Sequence, residues 1–161
     1  MHLRTLAVTG LAVVAAGCGG GVDGTPPPAP SRDFADVFGK LDACEVLELL
    51  TVGKGFSRGP VSQREACGLQ NSQFATYGLA LDITQGLAEF ESASADVVRT
   101  PINGRDSVQA DAPTGGCAIA LEVDDHARAV VTVRMASEAD DDQACQNAQI
   151  LAARVEPFLR D

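Results

Sequence analysis

Five cysteines carry most of the chemistry open to this sequence of 161 residues. Cys18 closes the run Ala15-Ala16-Gly17-Cys18, small residues leading straight into a thiol. Ahead of it lie a short positive start, His2 and Arg4, and an apolar stretch from Leu6 to Ala16. That stretch is about half the roughly 20 residues a membrane-spanning helix needs, and it has the length of a secretory signal core. The pattern resembles a lipobox. It predicts a lipoprotein signal peptide over residues 1–17, cut before Cys18, whose thiol then takes a diacylglycerol. Each buried methylene of such a group is worth about 0.8 kcal/mol, and stable attachment takes about two chains. A diacylated Cys18 meets that condition and makes the membrane the first expected partner.

The other four cysteines, Cys44, Cys67, Cys117 and Cys145, form an even set in a chain expected to be exported, which predicts disulfides. No pair among them has the close C-x₂₋₄-C spacing of structural zinc sites. Three connectivities are open to four cysteines. Cys117 alternates in phase with Ile119, Leu121 and Val123, the pattern of one strand face, while Cys145 shares a helical stripe with Ala148, Ala152 and Val155. A helix packed on a sheet would bring these two together, leaving Cys44 to pair with Cys67.

A second reactive pattern is Gly55-Phe56-Ser57-Arg58-Gly59, a literal match to the G-x-S-x-G nucleophile elbow, with aspartates and His126 downstream. An elbow needs a strand before the serine and a helix after it. Here a helical pattern precedes it and Pro60 follows, so a small serine hydrolase using Ser57 and His126 stands as the alternative function. Glu138, Asp140, Asp141 and Asp142 lack the spaced ligands and glycine of an EF-hand loop; carboxylates are favoured in the first turn of a helix by its dipole. Asp124, Asp125 and His126 could hold a divalent ion weakly, but a turn accounts for them. No phosphate loop or dinucleotide fingerprint is present, and no cofactor is expected. A net charge of −10 and pI near 4.5 exclude nucleic acid as a partner, because phosphate backbones are bound through clustered Lys and Arg.

The elements that must position these residues follow from periodicity. Residues 18–32 run through Gly19-Gly20-Gly21 into Thr25-Pro26-Pro27-Pro28-Ala29-Pro30, a stalk whose proline-rich half extends at about 3.1 Å per residue. A single exported domain is expected over residues 33–161. Phe34, Val37, Phe38 and Leu41 recur at helical spacing; Asp42 then caps a second helix carrying Cys44, Leu47 and Leu50, ended by Gly53 and Gly55. Residues 56–73 read as a loop pinned at Cys67. Tyr77, Leu79, Leu81 and Ile83 alternate as a half-buried strand, and Leu87 with Phe90 mark a short helix. Asn103-Gly104 predicts a type I′ turn between strands at Val98 to Ile102 and Arg105 to Ala110, with Pro101 suiting an edge. Cys117 to Val123 and Ala129 to Met135 form a further hairpin through Asp124-Asp125-His126-Ala127. Ser137 with Asp140 resembles a capping box for a helix running to about Val155. The expected fold class is α+β: a mainly antiparallel sheet of about five strands, helices packed on one face, and two disulfides.

This order of features resembles an actinobacterial lipoprotein family catalogued as domain of unknown function 3558. The matching positions are the lipobox and stalk, Cys44, Cys67, Gly104-Arg105, Cys117 in a Cys-x-Ile-x-Leu strand, and Ala144-Cys145-Gln146-Asn147-Ala148. Leu69 stands where the family often has an aromatic residue. The resemblance implies a location on the outer face of the cell membrane and no particular reaction. With no reactive constellation in its expected context, the sequence predicts a non-enzymatic binding or accessory module, its partner an envelope protein or a small amphiphile.

Overall fold

Two aspartates start the first two helices. The carboxylate of Asp33 accepts from the Ala35 N–H at the head of α1 (Phe34–Phe38), and that of Asp42 accepts from the N–H groups of Cys44 and Glu45 at the head of α2 (Ala43–Thr51). Each cap is worth about 1 kcal/mol, since it satisfies donors that the first helical turn leaves unpaired. The computed structural model describes residues 31–137 and 141–159. Cys18, the signal and stalk through residue 30, and the Glu138 and Asp140 carboxylates lie outside the described residues, as does the Asp140 half of the expected capping box.

The strands are β1 (Ser57–Ser62), β2 (Ala66–Asn71), β3 (Ala75–Asp82), β4 (Val98–Arg99), β5 (Ser107–Asp111), β6 (Cys117–Asp124) and β7 (Ala127–Met135). They form one seven-stranded sheet in the order β1-β2-β3-β7-β6-β5-β4, antiparallel throughout. The expectation of about five strands is therefore corrected to seven. The difference lies in residues 56–73, which are the β1–β2 hairpin and not a loop. β1 is an edge strand with almost every side chain in solvent, so no apolar alternation marks it. In β2 only Cys67 and Leu69 are buried, too short a run to register as periodic.

Elsewhere the alternation holds. Leu79 pairs with Val131 and Val131 with Ile119, while Tyr77 pairs with Val133 and Val133 with Cys117, so rows of apolar side chains cross the middle of the sheet on one face. Leu79, Ile119, Leu121, Val131 and Val133 are nearly sealed from solvent, each contributing about 1.5–3 kcal/mol by burial. α2 covers this face over β2 and β3. Helix α4 (Asp141–Val155) covers it over β7 and β6 through Ala144, Ala148, Leu151, Ala152 and Val155. A 3₁₀ turn, Glu156–Phe158, continues α4.

Helices are not confined to that face. Helix α3 (Leu87–Ala93) packs on the opposite one, where Leu87 joins Val108 and Ala120, with Phe90, Val97 and Val130 around them. These residues are out of phase with the Ile119 row, which is why β6 buries both its faces.

The cysteines pair in sequence order. Cys44–Cys67 joins the start of α2 to β2 with Cα atoms 5.0 Å apart, and Cys117–Cys145 joins β6 to α4 at 4.9 Å. At the far edge, Asn103 (φ 53°) and Gly104 (φ 90°) both take positive φ between the mutually hydrogen-bonded Ile102 and Arg105, the signature of a type I′ turn. Among the described residues no helix is long and apolar enough to cross a membrane.

Candidate functional site

Ser57 and His126 are placed at opposite ends of the sheet. Ser57 pairs with Gln70, Gln70 with Thr76, and Thr76 with Arg134 near the end of β7. His126 sits in the turn just before β7 begins at Ala127. Eight residues, from His126 to Arg134, at about 3.3 Å and three strand spacings of about 4.8 Å put roughly 30 Å between them. Proton transfer between a nucleophile and its base needs about 2.6–3.2 Å. The Ser57 hydroxyl instead donates to the Gln70 carbonyl at 3.3 Å. The residues after Ser57 form an edge strand, not the helix of a nucleophile elbow.

The acidic turn is also committed. Arg32 donates through both terminal nitrogens to Asp124, at 2.7 and 2.6 Å, and the His126 backbone N–H donates to the same carboxylate at 2.8 Å. The guanidinium hydrogen bond, assisted by the backbone donor, holds the Asp124 carboxyl below its ordinary range against a smaller opposing effect of burial. Among the described residues no three His, Cys, Asp or Glu side chains converge as metal ligands. A cleft of about 730 Å³ opens here, lined by Asp106, Glu122, Asp125 and Glu156 beside these groups. Its other arginine, Arg105, donates to Glu156 and to the carbonyls of Glu122 and Leu159, so its charge serves to join elements.

A smaller crevice, of about 320 Å³, has a different character. It lies between the C-terminal part of α2 and α4, above β3, and is lined by Leu50, Lys54, Phe74, Tyr77, Asn147, Ile150, Leu151 and Arg154. The α4 contribution is a single stripe, with spacing i, i+3, i+4 and i+7 from Asn147 to Arg154, which places all four side chains on one side of the helix. Phe56 extends the aromatic surface. Its ring centroid is 4.7 Å from that of Tyr77 and 6.3 Å from that of Phe74, and Phe74 and Tyr77 meet edge-on at 6.4 Å. Such spacings fall within the range where aromatic pairs attract. Tyr77 is buried, but Phe74 is 43% and Ile150 54% exposed, which leaves large apolar side chains open to solvent at the mouth. Burial pushes the Tyr77 phenol up, opposed by the positive charge of Arg154.

Charge marks the crevice as well. Arg32, Arg58, Arg99, Arg105 and Arg128 are each paired with a carboxylate. Among the described residues, Lys40, Lys54, Arg64, Arg134 and Arg154 have no carboxylate partner, and two of these, Lys54 and Arg154, line this one crevice, in a chain with 22 acidic residues against 12 basic ones. Asn147 donates to the Met135 sulfur at 3.4 Å and so is fixed at the crevice wall.

Sequence reasoning did not find this site. Its residues come from three separate segments, and Tyr77, Leu50 and Leu151 look like ordinary core positions. One signal was available: Phe74 follows Asn71-Ser72-Gln73, an aromatic residue in an otherwise polar turn. Comparison with family models, with curated proteins and with solved structures gives no match to this chain.

Proposed function

We propose that this chain is a lipid-anchored cell-envelope lipoprotein of the actinobacterial family it resembles, acting as a non-enzymatic binding module. The observation that carries the binding role is the aromatic crevice between α2 and α4. Apolar groups of this size left open beside a concavity mark a binding surface. The lipobox at Cys18 and the stalk support the anchor, and the two disulfide pairs suit an oxidising compartment.

Two measurements test the two halves of the proposal. The wild-type chain expressed in an actinobacterial host partitions into the detergent phase of a Triton X-114 separation, and Cys18→Ala moves to the aqueous phase. Wild type found in the aqueous phase ends the anchored reading. The neutral fluorophore N-phenylnaphthylamine brightens on binding the wild-type chain, and Phe74→Asp removes the signal; equal brightening in the variant places the binding surface elsewhere.

A further inference from the structure

We propose that the crevice takes an anionic amphiphile, a small single-chain carboxylate whose apolar part lies on Phe56, Phe74 and Tyr77 and whose head sits between Lys54 and Arg154. This rests on the binding reading above and adds the ligand's size and charge. The size follows from the volume. About 320 Å³ is at the lower end of the roughly 300–1,000 Å³ typical of ligand sites, room for one short chain and too little for a diacyl lipid.

The charge follows from the distribution of cations. A chain of net charge −10 repels anions overall, and five of its arginines are neutralised by carboxylates. Lys54 and Arg154 are not among those five, and they share one crevice. They come from separate elements, line the same concavity, and lack a carboxylate partner among the described residues. A cationic amphiphile would meet both positive charges at the edge of an apolar floor. An anionic one is paired by them, and the planar fork of Arg154 suits two carboxylate oxygens at once. No acidic side chain lines the crevice to compete for that position.

The test uses the full Cys18→Ala chain, free of lipid, titrated with octanoate, octanol and octyltrimethylammonium and followed by NMR chemical shifts. Octanoate is expected to bind about tenfold more tightly than octanol, the equivalent of one charge-assisted hydrogen bond, and the ammonium compound most weakly. Arg154→Gln and Lys54→Gln each weaken octanoate about three- to tenfold and leave octanol unchanged. Phe74→Asp abolishes both. Ile150→Asp, on an exposed helix position, serves the same purpose if the first variant fails to fold. Equal binding of octanoate and octanol overturns the anionic assignment while leaving a binding crevice in place. Failure of all three compounds to bind the wild-type chain overturns both readings.

Discussion

Replacing Arg105 with methionine should cost this domain about 3–5 kcal/mol. Arg105 leaves the Asn103-Gly104 turn and donates to the Glu156 carboxylate at 3.0 Å, the Glu122 carbonyl at 3.0 Å and the Leu159 carbonyl at 3.3 Å. One side chain thus ties the β4–β5 turn to the end of β6 and to the segment following α4. Its side chain and that of Glu156 are only 13% and 17% exposed, so the pair is largely shielded from the solvent screening that makes surface pairs weak. Methionine keeps the apolar stem but takes the cation from a mostly buried carboxylate, leaving it the neutral Asn103 amide as donor at 3.3 Å, and breaking such a pair from one side costs about 3–5 kcal/mol. For a unit of about 130 residues, an unfolding entropy of about 0.27 kcal/mol/K turns that into a fall in Tm of roughly 10–20 °C. Urea titration followed by circular dichroism, with calorimetry alongside, measures both. The Arg105→Met/Glu156→Gln double variant should cost less than the sum of its singles, because the second change removes the charge that the first had stranded. A single-variant cost under about 1 kcal/mol, or strict additivity, would refute the reasoning.

Three other outcomes follow from the fold. Removing the Cys117–Cys145 pair as a double alanine variant opens a loop of sequence separation 28 and should cost about 3.5 kcal/mol in the chain-entropy account, read from the urea midpoint of oxidised samples. Gly116 has φ 82°, and a Cβ there would overlap the Val133 carbonyl, so Gly116→Ala should destabilise by more than about 2 kcal/mol; Gly104→Ala, strained in φ but facing open space, should cost about 1 kcal/mol on the same assay. Because Arg32 lowers the Asp124 carboxyl in the folded state, the stability it adds is fully present above the unfolded value of about 3.9 and is lost as pH falls through the lowered folded value. Asp124→Asn should therefore flatten the loss of stability below pH 4, seen in urea midpoints taken at descending pH.

What could be read in the sequence depended on whether burial left a period. Cys117, Ile119 and Leu121 face one helix layer, and Cys145, Ala148 and Ala152 answer them from α4, so the disulfide pairing was legible from two separate periodicities. The Asn103-Gly104 turn was legible because its chemistry is local. β1 was not, since an exposed edge strand carrying Gly59 and Pro60 is stabilised by pairing with β2 and imposes no pattern on its own side chains. The placement of α3 was hidden for a related reason. Ala118 and Ala120 are small enough to read as the outward phase of β6, yet both are buried. The crevice depends on tertiary assembly, with Lys54 and Arg154 a hundred positions apart, and no local rule brings them together.

The two disulfides divide the covalent framework down the middle of the sheet. Cys44–Cys67 links α2 to β2, Cys117–Cys145 links α4 to β6, and the β3–β7 seam between these halves is crossed by neither. Eight register pairs, Ala75–Met135 through Asp82–Arg128, hold that seam by hydrogen bonds and packing. The crevice spans it, with Leu50, Lys54, Phe74 and Tyr77 on one side and Asn147, Ile150, Leu151 and Arg154 on the other. A molecule seated there bridges the two cross-linked halves. Occupancy would then act as a third, reversible clasp, coupling ligand concentration to resistance against splitting along the β3–β7 seam.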